Sequence, residues 1–161
     1  MKKILVSECL YGGRAVRYDG KNIPLTDKRF AGWKEEGRLV PICPEVFGGL
    51  PVPRADAQRV DDKVIARDGT DITQEYICGA KEALRLAQEN SAAFAIMKQS
   101  SPSCGSRTIY DGSFTGQKIS GQGVAAEMLR NAGFVVLSED DLDEAEQMLA
   151  RIIKEGGRQD G

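Results

Sequence analysis

Four short, mainly apolar runs constrain the fold of this chain more than any other feature. They are residues 3–7 (KILVS), 38–42 (RLVPI), 92–97 (AAFAIM) and 134–137 (FVVL). Runs of this length and composition are typical of strands that are buried on both faces of a parallel sheet. The longer segments between them leave room for helices.

The clearest helix is predicted for residues 72–90, and helices are also predicted for residues 124–131 and for the segment after Ser138. In the first of these, one face carries Ile72, Tyr76, Ala80, Ala83 and Ala87. Cys78 falls on the opposite face, where we expect it to be structural. Strands that alternate with amphipathic helices indicate βαβ units and a parallel sheet. A chain of 161 residues fits one domain, predicted over residues 1–155, with residues 156–161 as a disordered tail.

Three further segments have local signals. Residues 59–71 read as a small surface hairpin, and residues 108–116 (TIYDGSFTG) read as a second hairpin that turns at Asp111 and Gly112. Residues 121–123 (GQG) precede a helix, a position at which backbone amides can bind an anion.

The composition excludes several kinds of chemistry. The chain has no histidine, so it cannot form a Ser-His-Asp triad, a Cys-His pair or an imidazole metal site. A net charge of −2 argues against nucleic acid as a partner. No apolar run is long enough to span a membrane, and residues 1–10 make a poor signal peptide. We therefore expect a cytoplasmic protein with reduced thiols.

Three of the four cysteines follow predicted strands. Cys9, Cys43 and Cys104 come after the first, second and third strands, whose carboxyl ends share one edge of a parallel sheet. The alternative is that each is a small buried apolar residue. Convergent thiols without histidine indicate zinc or an iron–sulfur cluster. The wide spacing suits a four-iron cluster with one open iron, a Lewis acid with affinity for sulfur.

Polar residues accompany two of these cysteines. Glu45 lies two residues after Cys43, although it is also typical of a solvated loop glutamate. Ser100, Ser101 and Ser103 precede Cys104 in the segment KQSSPSCGS (residues 98–106), where ordinary turn and cap chemistry would also explain them. These residues are chemically useful neighbours of the cysteines.

The motifs SxCL, CPE, GGLPxPR and SPSCG occur in this order at residues 7–10, 43–45, 48–54 and 101–105. Together with the stretches YDGSF and GQGVAAEMLRNAGFVVLSE, they make the chain resemble the bacterial TudS-like thiouracil desulfidase family from residue 1 to about residue 140. The resemblance implies a single-domain, Rossmann-like, three-layer α/β fold with a short, mostly parallel sheet flanked by helices. It also implies an oxygen-sensitive 4Fe–4S cluster on Cys9, Cys43 and Cys104. The implied catalytic pair is Glu45 and Ser101, with Ser103 as a second candidate.

The resemblance implies a desulfidase that hydrolytically removes sulfur, as sulfide, from 2-thiouracil or a similar thiocarbonyl compound. That small molecule is the only partner expected; no nucleic acid and no membrane are expected, and the oligomeric state stays open. Two alternatives remain: structural zinc on the three cysteines with Glu45 as a fourth ligand, and a sulfur-carrier or redox module. The chain departs from the family after Arg54, where residues 55–58 read ADAQ instead of prolines followed by a glutamate.

Overall fold

A four-stranded parallel sheet forms the centre of the structure, a computed structural model that describes residues 1–160, with side chains up to residue 155. Its strands are β1 (Ile4–Ser7), β2 (Leu39–Ile42), β5 (Phe94–Ile96) and β8 (Val136–Leu137). They lie in the order β2–β1–β5–β8, and all neighbours are parallel. Each strand lies inside one of the four apolar runs, which confirms the predicted sheet.

Six helices connect or flank these strands. They are α1 (Glu8–Tyr11), α2 (Lys28–Glu35), α3 (Pro44–Phe47), α4 (Thr73–Glu89), α5 (Val124–Asn131) and α6 (Leu142–Asp160). Among residues 1–160, none of the helices combines the length and the apolar character needed to cross a bilayer. The predicted boundary at residue 155 and the tail at residues 156–161 concern a segment outside the described side chains, and both stay predictions.

Helices cover both faces of the sheet. On one face, Ile4 and Val6 of β1 join a buried cluster that includes Phe30 of α2 and Leu142 of α6. On the other face, Leu5 joins a cluster with buried residues of α4 and α5. This separation follows from the alternation of side chains along a strand. The predicted three-layer α/β fold is confirmed.

Helix α4 buries the face that its apolar spacing predicts. Tyr76, Ala80, Ala83 and Ala87 are all nearly inaccessible to solvent, whereas Cys78 is exposed. Because the alanines are small, the helix axis can lie close to the sheet and to α5. The helix therefore presents a flat, tightly packed surface to the segments that follow β2 and β5.

Two small antiparallel sheets complete the fold: β3 (Ala57–Val60) with β4 (Lys63–Ala66), and β6 (Thr108–Tyr110) with β7 (Lys118–Ser120). The first confirms the predicted hairpin near residues 59–71. The predicted turn of the second at Asp111 and Gly112 is wrong, because residues 111–117 form a longer connection. The Asp111 carboxylate accepts from the amide and hydroxyl of Ser113, which makes a local turn within this connection.

The order of the strands determines where a site can form. The chain passes from β1 to β2 on one side, whereas β5 lies on the other side of β1. Open α/β sheets bind their ligands at such a reversal, outside the carboxyl ends of the strands. The segments that leave β1, β2 and β5 all reach this point.

Candidate active site

A cavity of about 580 Å³ opens at the carboxyl ends of β1, β2 and β5. Cys9, Cys43 and Cys104 all line it, together with Glu45 and Ser101. Its volume is typical of small-molecule sites. The structure thus brings together five of the six site residues that the sequence singles out.

The three thiols are shielded from water. Cys104 is 5% exposed, and Cys9 and Cys43 are half-buried. Burial, together with the charge of Cys43, raises the pKa of Cys9 to about 12. Burial and the Glu45 carboxylate raise the pKa of Cys43 to about 11. Among the described side chains, no neighbouring base ionises these thiols, so they lack the setting of a nucleophilic cysteine.

This donor set fits a metal centre that displaces thiol protons when it binds. For Cys104, burial raises the thiol pKa, and the nearby charges of Cys9, Glu45 and Cys43 raise it further. Within the described residues, no group of three or more Cys, Asp or Glu side chains is close enough to hold a single metal ion. The ligands of a four-iron cluster need not lie as close together as those of a single metal ion, because each thiolate binds a different iron.

Ser7, the last residue of β1, joins two of the site's segments. Its buried hydroxyl accepts a hydrogen bond from the Lys98 amide at 2.8 Å and donates one to the sulfur of Met97 at 3.7 Å. Ser7 therefore fixes the start of the segment that carries Cys104.

Ser101 and Ser103 have different surroundings. The Ser101 hydroxyl oxygen accepts from the amides of Ser103 and Cys104, both at 3.1 Å. Its hydrogen has no acceptor among the described residues, and the side chain lines the cavity. Ser103 is fully buried away from the cavity, and its hydroxyl has no partner among the described residues.

The segment that carries Cys104 is anchored to the N-terminus of α5. The carbonyls of Pro102 and Ser103 accept from the amides of Val124 and Ala125, both at 2.9 Å. A Cβ atom on Gly123 would lie 2.3 Å from the carbonyl carbon of Ser103, so only glycine permits this contact. These amides donate to the protein's own carbonyls and are therefore not free to bind an anion.

Glu45 is held in place by charged and polar partners. It lies in the first turn of α3, and its carboxylate pairs with the Arg54 guanidinium. The two side chains are only 15% and 7% exposed. The Tyr76 side chain lies beside Glu45, and burial together with the Glu45 charge raises the pKa of Tyr76, which keeps its hydroxyl protonated. These contacts exclude the interpretation of Glu45 as a solvated loop residue.

Arg54 also ties other segments to the site. It donates to the carbonyls of Val16 at 2.9 Å and Pro51 at 3.0 Å. The same Val16 carbonyl lies 3.8 Å from the Cys43 sulfur, which donates to it. The Arg54 guanidinium thus donates to three oxygens, those of Glu45, Val16 and Pro51, and a buried charge requires such partners.

Arg54 and Tyr76 are functional candidates that sequence reasoning missed. Arg54 lies in the turn-rich GGLPxPR segment, which looks like a cavity wall. Tyr76 fits the apolar face of α4 and looks like a core residue. A tyrosine on an otherwise alanine-rich face is the one signal that could have identified it, since a buried tyrosine hydroxyl usually has a partner.

Comparisons with known proteins identify the family of this chain. The family model for 2-thiouracil desulfurase matches residues 4–141. The uncharacterised protein YbbK of Bacillus subtilis (strain 168) is 38% identical over 151 residues, covering 88% of this chain and 98% of YbbK. The solved structure of a 4Fe-4S-dependent thiouracil desulfidase, TudS, is 42% identical, with a TM-score of 0.90 over 93% of this chain and 99% of that chain. The chain therefore belongs to the 2-thiouracil desulfurase family.

Proposed function

We propose that this protein removes sulfur from 2-thiouracil or a similar thiolated pyrimidine, with a four-iron cluster bound by Cys9, Cys43 and Cys104. One observation carries the proposal: the three thiols share a single cavity with Glu45 and Ser101. The similarity to TudS, a 4Fe-4S-dependent thiouracil desulfidase, supports it over nearly the whole chain. The cavity is large enough for a small heterocycle beside a cluster.

The three cysteines would hold the cluster by one thiolate each. With one iron left free of protein ligands, the cluster supplies a Lewis acid with affinity for soft sulfur. The protein contributes a shielded, histidine-free setting, in which burial raises the thiol pKa of Cys9 and Cys43 so that both are protonated before loading. Loading therefore releases protons.

Glu45 is the proposed base. Arg54 pairs with its carboxylate beside Tyr76, and a carboxylate has further lone pairs to accept from water. A water molecule beside Glu45 would lose a proton to the carboxylate as its oxygen attacks the carbon that carries sulfur. The role needs a positioned carboxylate within hydrogen-bond reach of the water.

Ser101 is the proposed proton donor. Two backbone amides occupy its oxygen, so its hydroxyl hydrogen is the part that is free to act in the cavity. This hydrogen would stabilise the charge that develops on the substrate when water attacks. Ser103 does not line the cavity, and we therefore propose Ser101 and not Ser103 for this role.

The overall reaction is hydrolytic and moves no electrons to or from an external partner. Water supplies the oxygen that replaces the sulfur, and its two protons leave with the sulfur as hydrogen sulfide. The pyrimidine product carries a carbonyl where the thiocarbonyl was. No reductant is needed for this balance.

The test is turnover in oxygen-18-labelled water without a reductant. Protein loaded with the cluster under anaerobic conditions should convert 2-thiouracil to uracil that contains one labelled oxygen, with one sulfide per substrate, over many turnovers. A sulfur-carrier module would stop after a single equivalent of sulfide. A colourless protein with stoichiometric zinc and no turnover would contradict the proposal, as would a reaction that requires a reductant.

A further inference from the structure

We propose that Gln58 is a positioning residue for substrate binding, because it fastens one wall of the active-site cavity. The inference rests on the proposed function and adds how the cavity holds its substrate. The wall segment is residues 110–116, which contribute Tyr110 and Gly116 to the lining of the cavity. It contains the YDGSF stretch at residues 110–114, to which the proposed chemistry assigns no role.

Gln58 lies on a different hairpin from the wall segment. It belongs to β3, is 6% exposed and lines the same cavity as the three cysteines. Its Oε1 atom accepts from the amides of Gly112 at 2.8 Å and Phe114 at 3.2 Å. Only the oxygen of a side-chain amide can accept two N–H groups, so these donors identify the atom as oxygen. One buried side chain therefore joins the wall segment to β3 at two points.

Phe114 has an unfavourable backbone conformation within the wall segment. Its φ is +58°, a left-handed value that a bulky aromatic residue rarely adopts. Such a conformation persists only where the surrounding contacts impose it. The Gln58 oxygen accepts from the amide of Phe114 itself, and the Arg67 guanidinium lies over its ring, 4.8 Å from the centroid. Without these contacts, the segment should relax into another conformation.

The hairpin of β3 and β4 supplies further contacts to the wall segment. Gly112 has a φ of +94°, and a Cβ atom there would lie 2.3 Å from Cγ2 of Val60, at the end of β3. Both the backbone conformation and this close approach therefore require glycine. Arg67, which covers Phe114, is held by two hydrogen bonds to the Asp56 carboxylate, at 2.8 and 2.9 Å. The wall segment is thus docked on this hairpin along most of its length.

A wall that is held in one conformation favours binding. If the segment moved freely, substrate would bind only to the fraction of molecules in which the wall is in place, and the apparent affinity would fall by that fraction. The segment contributes none of the groups that the proposed chemistry uses, which are Glu45, Ser101 and the cysteines. Loss of its anchor should therefore raise KM and leave kcat nearly unchanged, because ground state and transition state lose the same contacts.

Two substitutions at Gln58 separate the hydrogen-bond acceptor from the rest of the side chain. Leucine has a similar volume but accepts no hydrogen bond, so Gln58→Leu should raise the KM for 2-thiouracil at least about fivefold and keep kcat within about twofold. Glutamate, which the family carries in this stretch, keeps an oxygen for the two amides, and Gln58→Glu should keep KM within about threefold of wild type. Gln117→Leu is the matched control and should leave KM unchanged, since Gln117 is exposed and does not line the cavity.

Hydrogen exchange gives a readout that does not depend on turnover. In the cluster-loaded protein, the amides of residues 110–116 should exchange faster in Gln58→Leu than in wild type, and at wild-type rates in Gln58→Glu and Gln117→Leu. Gln58→Asn withdraws the acceptor by one methylene and adds no apolar surface. It should match Gln58→Leu in KM and in exchange, and it keeps the test available if leucine prevents folding.

An unchanged KM in the loaded Gln58→Leu and Gln58→Asn variants would overturn the inference, with or without faster exchange. A fall in kcat at unchanged KM would also overturn it, since the wall would then act on the chemistry. Both results leave the proposed function intact, because the wild type still releases sulfide. A fully loaded wild type that releases no sulfide from 2-thiouracil would overturn the proposed function together with the inference that rests on it.

Discussion

Glu45 and Arg54 form the pair of residues on which the proposed chemistry depends most. Arg54 is buried, and its guanidinium meets the carboxylate of Glu45 and the carbonyls of Val16 and Pro51. Separating such a pair leaves a buried charge without compensation, so the two side chains stay together. The Glu45 carboxylate is therefore held in one position beside the three cysteines, as a general base requires.

Replacing Glu45 with glutamine should slow turnover without loss of the cluster. The amide keeps the size of the carboxylate but cannot take a proton from water, so kcat should fall by about 10²–10⁴. The absorption of the loaded protein and its iron content should stay at wild-type values. Steady-state sulfide release and iron counting on the same sample measure both quantities.

Glu139→Gln is the matched control, because Glu139 lines the same cavity but pairs with Lys98. This variant should lose less than about tenfold in kcat, well below the contribution of a base. Equal losses in the two variants would show that the cavity needs negative charge in general and not a base at Glu45.

The thiols of the cluster-free protein should react with alkylating agents in a characteristic order. The thiolate is the nucleophile, and burial raises the pKa of Cys9 to about 12 and that of Cys43 to about 11. Both should react slowly at pH 8 and faster as the pH rises towards those values, since more thiolate is present. Exposed Cys78 serves as the internal control and should react first.

Mass spectrometry after timed alkylation identifies each modified cysteine. In the loaded protein, Cys9, Cys43 and Cys104 should be protected, whereas Cys78 should react as before. Alkylation of Cys9 and Cys43 as rapid as that of Cys78 at pH 8 would contradict the buried setting of the site.

At the scale of elements, close backbone contacts position the short helix α3, which carries Glu45. A Cβ atom on Gly79 of α4 would lie 1.8 Å from the carbonyl oxygen of Pro44, and one on Gly48 would lie 2.0 Å from the carbonyl oxygen of Glu75. Two glycines thus allow α4 and the segment around α3 to touch through their backbones. This contact determines how far Cys43 and Glu45 lie from the rest of the cavity.

Gly79→Ala should push α3 away from α4. Overpacking of this kind typically lowers the free energy of unfolding by about 1–3 kcal/mol, and the displaced Cys43 should also lower the amount of cluster retained. Urea unfolding of the cluster-free protein and iron counting of the loaded protein measure the two effects.

Gly32→Ala in α2 is the control, because its Cβ atom would meet nothing within 4 Å. Alanine is favoured over glycine inside a helix, so this variant should gain about 0.5–1 kcal/mol and keep its cluster. A Gly79→Ala variant as stable as Gly32→Ala would show that α4 does not determine the position of α3.

At the scale of the whole molecule, the sequence predicts the sheet and the convergence of the cysteines for a simple reason. Parallel strands buried on both faces leave unbroken apolar runs, and their carboxyl ends must meet at one edge. Cys9, Cys43 and Cys104 could therefore be placed together although up to 95 residues separate them along the chain. The resemblance to a known family added the catalytic roles of Glu45 and Ser101.

Features that depend on contacts between distant segments could not be predicted in the same way. Arg54 and Tyr76 become functional candidates only because the fold places them beside Glu45, and the sequence does not show this proximity. The connection at residues 111–117 has a strong turn signal, yet its amides bond to Gln58 on another hairpin. Local turn chemistry is visible in a sequence, whereas a partner from elsewhere in the fold is not.

The central claim is that three cysteines together bind one four-iron cluster, and iron and sulfide counting after anaerobic reconstitution tests it most directly. Wild type and Cys78→Ala should each bind about four irons and about four sulfides per chain, as a complete cubane requires. Cys9→Ala, Cys43→Ala and Cys104→Ala should each lose most of that content. A wild type with fewer than about three irons, or a Cys104→Ala variant that binds as much as wild type, would contradict the claim.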